Sequence, residues 1–235
     1  EVNGDVWQEI DELHVTPEER RRLEANGLRV GVLSGPLPLK LEQLLQLSEK
    51  PAAREGPQPV DVERQPTAKQ RQLRIRGGRR ANIVVMGEQQ RRNELSLLIR
   101  GADDRVEGRT YRQAMGLFAA RAYPQGDGGA RLEMTPELEH GESQKRFTAG
   151  DGMFKVEFGP PHEVIEQLRW SARLAPGQML VVSALPERIG SLGHHFFTEL
   201  DGDATVQKML LVRLTQCDYD DRFAAPPAAS PADEP

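Results

Sequence analysis

The sequence predicts an α+β fold: a small N-terminal α/β unit followed by a mainly antiparallel β domain. Three observations carry that expectation. A sharply capped helix and an alternating apolar run fall within the first fifty residues. A Pro-broken, Arg-rich stretch follows. From about residue 73 onward, apolar residues recur at a period of two between Gly- and Pro-rich turns.

The N-terminal unit is expected over 1–50. Val6, Ile10 and Leu13 form a helical stripe. Thr16 and Glu19 make a T-x-x-E capping box, with Pro17 at the first helical position and Asn26-Gly27 as a C-terminal stop. Leu28, Val30 and Val32 alternate as a strand ended by Ser34-Gly35-Pro36. A Leu-rich helix over 39–48 places Leu41, Leu44, Leu45 and Ser48 on one face. Pro51, Pro57, Pro59 and Pro66 then interrupt a polar segment, so 51–72 reads as a linker or extended arm.

The β domain is expected over 73–221. Leu73 and Ile75 read as one strand and Ile83–Met86 as the next, joined at Gly77-Gly78. Leu95–Ile99 is a further short apolar run. Tyr111–Tyr123 fits a strand or a helix. The strand is preferred because Pro124–Gly129 is a strong turn and Leu132 and Met134 resume the period of two. Pro136 is expected to end that strand or to mark an edge. Phe154, Val156 and Phe158 alternate, 162–172 fits a short helix or a strand, and Gln178–Leu185 reads as a buried strand. His194–Thr198 and Lys208–Thr215 are expected to complete the set. The Ala- and Pro-rich end, 222–235, is expected to be a disordered tail.

Composition narrows the function classes. Aromatics are 5% of 235 residues, so aliphatic side chains and alanine must fill most of the core. The formal net charge is −5, which disfavours a nucleic-acid partner. The charge is uneven, because 51–80 alone carries seven Arg and one Lys against three acids. The single Cys217 excludes an internal disulfide and a CxxC motif, and suits the cytoplasm or a bacterial envelope equally. No apolar run is long enough for a membrane-spanning helix. The chain opens at Glu1 without Met, as expected of a removed export signal or a fragment boundary.

Catalytic and cofactor signatures are absent. There is no G-x-S-x-G and no H-E-x-x-H. Adjacent His194 and His195, read on a strand, point to opposite faces and so do not share an ion. Asp201-Gly-Asp203 lacks the Gly and Glu that a calcium loop needs, leaving a polar hairpin turn. Gln125–Gly129 is a turn rather than a phosphate loop. Asp218 beside Cys217 raises rather than lowers a thiol pKa. The chain reads as a non-enzyme with no cofactor, while an unmarked acid/base pair among its many carboxylates remains an alternative.

The most conspicuous charged feature is the set Arg71, Arg74, Arg76, Arg79, Arg80, Arg91 and Arg92. Arginine favours bidentate contact with carboxylate or phosphate. Arg74 and Arg76, alternating with Leu73 and Ile75, are expected to share one strand face. They serve either to bind an anionic partner or to guard a sheet edge against aggregation.

Residues 131–216 resemble the C-terminal domain of bacterial secretins, the outer-membrane channel proteins of secretion systems. Leu132-Glu-Met-Thr-Pro-Glu-Leu138 is similar to that family's first element. Leu174-Ala-Pro-Gly-Gln-Met-Leu-Val-Val182 is similar to its Gly-Gln turn and strand, and Met209–Thr215 to its closing strand. Ser183-Ala184-Leu185 stands where the family usually has Gly-Gly-Leu. The resemblance implies a structural or assembly protein of a bacterial cell envelope, placed in the periplasm or envelope rather than the cytoplasm. Protein partners or self-association through β-edges or the N-terminal unit are then expected, with possible outer-membrane association.

Overall fold

A computed structural model describes residues 4–44, 70–86, 92–101, 103–150, 153–201 and 204–218. Most of the 51–72 stretch, all of the 222–235 tail and Arg91 lie outside the described residues.

The architecture is mainly antiparallel β, with short helices. One sheet runs β1 (Leu28–Leu33), β10 (Met179–Ala184), β13 (Met209–Arg213). A larger sheet is built on β4 (Val106–Pro124) and β5 (Ala130–Glu139). On β4, β2 (Arg80–Val84) and β3 (Arg92–Arg100) pair with successive stretches. On β5, β9 (Trp170–Leu174) pairs with the first half and β8 (His162–Val164) with the last residues. Two hairpins complete the strands: β6 (Gln144–Gly150) with β7 (Met153–Gly159), and β11 (Thr198–Asp201) with β12 (Ala204–Gln207).

Strand alternation explains how the sheets stack. Leu28, Val30 and Val32 of β1, Leu180, Val182 and Ala184 of β10, and Leu210 and Val212 of β13 face the large sheet. They pack with Phe118, Ala120, Leu132, Met134 and Leu138 in the main core. The odd positions Leu33, Met179, Val181, Met209 and Leu211 turn the other way, beneath Val6, Trp7, Ile10 and Leu41. The three-stranded sheet is thus a middle layer, apolar on both faces. At the centre, Phe118 meets Trp170 edge-on at 5.4 Å and Phe196 at 5.5 Å. Phe196 fits because Gly116 faces it: a Cβ there would lie 2.4 Å from the ring.

The N-terminal segment therefore shares both a sheet and a core with the rest of the chain. The cap is as the sequence indicates. Thr16 Oγ1 accepts from the Glu19 N–H at 3.3 Å, the Glu19 carboxylate accepts from the Thr16 N–H at 3.2 Å, and α1 spans Pro17–Ala25. Upstream, the expected helix is instead two 3₁₀ turns, Asp5–Glu9 and Glu12–His14. Asp11, between them, exchanges two backbone hydrogen bonds with Val32, and that pairing interrupts any continuous helix. Leu13, assigned to the stripe, is 82% exposed. α2 covers Leu39–Leu44, with Leu41 buried and 45–48 outside the described residues.

Three further expectations are corrected. Residues 70–76 form no strand, so Leu73 and Ile75 belong to an extended arm that ends in the Gly77-Gly78 turn. Pro136 does not end its strand but sits within β5. Its carbonyl accepts from the Ile165 N–H, so its ring nitrogen faces the gap between β9 and β8, where no donor is needed. His194–Thr198 is mostly helical: α3 spans Leu192–Phe197, N-capped by Ser191. Tyr111–Tyr123 is strand throughout. Gln113, at φ +51°, marks where the buried face of β4 passes from odd Tyr111 to even Ala114, Phe118 and Ala120.

Candidate partner-binding surface

The arginines gather on one side of the large sheet. Arg71, Arg74 and Arg76 lie on the arm, Arg79 follows the turn, and Arg80 opens β2. Arg71, Arg74, Arg76 and Arg79 are exposed and make no ion pair among the described residues. Arg92 opens β3, opposite Ala114, and so stands apart from the arm. The sequence-predicted cluster is therefore five neighbouring arginines plus one on another strand.

Arg80 differs from the others. Its Nε donates to Asn82 Oδ1 at 2.9 Å, and its Nη2 donates to Glu137 Oε2 at 2.5 Å. The Glu137 side chain is 3% exposed, on the face of β5 turned away from the main core. His162 Nδ1 lies 3.6 Å from the same carboxylate oxygen, and its Nε2 lies 3.4 Å from Glu139 Oε1. A buried carboxylate needs such company, because an unpaired one costs several kcal/mol. Glu133, Thr135, Glu137 and Glu139 alternate along β5, a polar face hidden from the sequence because the strand was expected to end or turn edge at Pro136. The burial of Glu137 beneath Arg80 was hidden as well, because it depends on a residue 57 positions away.

Arg71 and Leu73 of the arm face Arg80, Ala81, Asn82 and Val84 across an open groove of about 560 Å³. β2 pairs only with β4, so its other edge is free of strand partners among the described residues. The Val85 N–H bonds to the Gly116 carbonyl, which fixes the alternation: odd residues of β2 point their backbone groups at β4. Arg80, Asn82 and Val84 then present theirs to the free edge.

A second free edge belongs to β13, whose only strand partner among the described residues is β10. Leu214 exchanges hydrogen bonds with Gln178 and Gly177, so even residues face β10, and Met209, Leu211 and Arg213 turn their backbone groups outward. Met209, Leu210, Leu211 and Val212 are half-buried, so this edge is apolar on both faces. Lys208 Nζ donates to the Val85 carbonyl at 3.3 Å, tying the start of β13 to the end of β2.

The remaining candidates are structural. His195 is buried on α3 and donates from Nε2 to the Ser96 carbonyl at 2.9 Å. The two histidine rings meet edge-on at 5.5 Å. Burial and Asp218 push the Cys217 thiol up, away from thiolate chemistry. Asp127 sits in the 125–129 turn, where the Arg173 guanidinium and the Gly129 N–H hold its carboxyl below the usual range. Residues 202–203 of the acidic turn lie outside the described residues, between β11 and β12. No helix of the described residues is long and apolar enough to cross a membrane.

No family model, no curated protein and no solved structure matches the chain.

Proposed function

We propose that this protein is a binding and assembly module that associates with further copies of itself by strand addition at β13. One observation carries the reading: an apolar strand, Met209–Arg213, with one edge free of strand partners among the described residues. Soluble proteins ordinarily blunt such edges with charge, proline or a bulge, and a flat apolar edge is a template for another chain. Here the strand carries a charge only at its end, Arg213. Antiparallel self-pairing centred on Leu211 sets Arg213 beside the partner's Met209, so no two like charges face each other. The secretin-like order of the segments at 132–138, 174–182 and 209–215 supports a bacterial cell envelope as the setting. Fractionation of cells carrying the full-length protein tests that part.

The association itself is tested by sedimentation over a range of concentrations. The wild type is expected to show reversible self-association. Arg213→Pro removes an outward N–H while leaving the β10 ladder whole, because the neighbouring even residues make those bonds. The variant should therefore remain folded and become monomeric. A wild type that is monomeric at every concentration overturns the proposal.

A further inference from the structure

We infer that the groove beside β2 is a docking site for an extended, acidic segment of a partner protein, bound by addition to the β2 edge. The site is separate from β13 and does not depend on self-association. Its shape is that of an opened hairpin. The Arg79 N–H bonds to the Arg76 carbonyl and closes the turn, but the arm at 70–76 makes no ladder with β2. An open groove of about 560 Å³ is lined by Arg71 and Leu73 of the arm together with Arg80, Ala81, Asn82 and Val84 of β2. Along β2, the backbone groups of Arg80, Asn82 and Val84 point to the free edge, so the hydrogen-bonding row that a strand would complete is already in place.

Charge complementarity selects the occupant. Glu137 neutralises Arg80 and fixes its direction. Arg71, Arg74, Arg76 and Arg79 have no carboxylate partner among the described residues, so the arm is a concentrated positive field in a chain of net charge −5. A strand carrying Glu or Asp would meet Arg71, which lines the groove, within the positive field to which Arg74, Arg76 and Arg79 add. Its small apolar residues would lie against Leu73 and Val84, which line the same groove. Val84 is 48% exposed and Leu73 36% exposed, enough apolar surface to favour a peptide over a bare polyanion.

The test uses the full chain and a labelled synthetic peptide of alternating glutamate and valine. Anisotropy should report binding that weakens at least about tenfold between about 0.1 M and about 1 M salt. Amide hydrogen exchange should slow at Asn82 and Val84, whose N–H groups face the free edge, and stay unchanged at Ala81 and Ile83, already bonded to β4. Arg71→Gln with Arg74→Gln, both on exposed side chains, should weaken binding by about tenfold through lost charge contacts. Asn82→Pro should abolish it by removing one edge donor. A second measurement uses heparin and a single-stranded oligonucleotide. If either binds as tightly as the peptide, or if the peptide binds without alternating protection in β2, the strand-addition site is overturned. Absence of peptide binding overturns it as well. Arg213→Pro should leave peptide binding intact, so the two edges are judged independently.

Discussion

At the scale of single residues, the most informative groups are those whose environment the fold has fixed. Thr16 and Glu19 satisfy each other's backbone donors at the start of α1. Thr16→Ala should therefore lower unfolding free energy by about 1 kcal/mol, measured by urea denaturation. Glu137 carries larger stakes. Among the described residues, replacing Arg80 with Leu leaves a buried carboxylate with only His162 as a cationic neighbour, and should cost about 3 kcal/mol. Adding Glu137→Leu removes the stranded charge, so the double variant should recover part of that loss in a double-mutant cycle. A double-variant cost equal to the sum of the two single-variant costs would mean that the pair is not coupled. Tyr111 offers a pH readout. Burial and the neighbouring Glu163 push its phenol up to about 12, from an ordinary value of 10.0. The neutral form is favoured by folding, so this stability is complete below pH 10.0 and is lost as pH rises through about 12. An absorbance titration should show a late-ionising tyrosine that Tyr111→Phe removes.

At the scale of elements, local signals were read where local physics decides. The α1 cap, the turn at 125–129 and the buried β10 all depend on residues within a few positions of each other, and each lies where the sequence places it. The errors share a cause: a distant partner. The helix expected over 6–13 gives way because Asp11 pairs with Val32. Leu73 and Ile75 alternate like a strand yet find no ladder. Pro136 survives within a strand because β9 and β8 leave a gap opposite it. Likewise the arginines were visible as a cluster, but not the groove they border or the Glu137 that holds one of them. The short α3 shows how tightly such distant contacts bind. The Gly193 N–H donates to the Asn26 carbonyl at 3.0 Å, and a Cβ on Gly193 would fall 1.8 Å from the Gly27 carbonyl oxygen. That obstacle is backbone and cannot swing aside. Gly193→Ala should thus separate α3 from the α1–β1 turn and cost about 3 kcal/mol, visible as a lower thermal midpoint. Gly35→Ala is an unsuitable control because φ there is +126°, whereas Gly159, with open space around its Cβ position, should tolerate alanine.

At the scale of the whole molecule, the layers decide whether the chain behaves as one unit. β1 contributes to the main core through Leu28, Val30 and Val32, and to the second cluster through Leu33. It is hydrogen-bonded along its length to β10, whose residues lie 146 (Leu33 with Met179) to 156 (Leu28 with Ala184) positions away. A strand so placed cannot leave without exposing β10, every residue of which is buried. Unfolding should then be a single cooperative event that includes the N-terminal segment. The tryptophans make this measurable, because Trp7 sits in the cluster under the N-terminal turns and Trp170 in the main core. In Trp170→Phe, fluorescence reports the N-terminal layer through Trp7; in Trp7→Phe, it reports the main core through Trp170. Within each variant, the fluorescence midpoint in urea should coincide with the midpoint from far-ultraviolet circular dichroism, which follows the strands of both sheets. If Trp7 fluorescence changes at lower urea than the dichroism of the same variant, the N-terminal layer opens separately and the middle sheet persists without its cover. Coincidence in both variants means that the two free edges of β2 and β13 are presented by one cooperatively folded body, as a rigid docking surface requires.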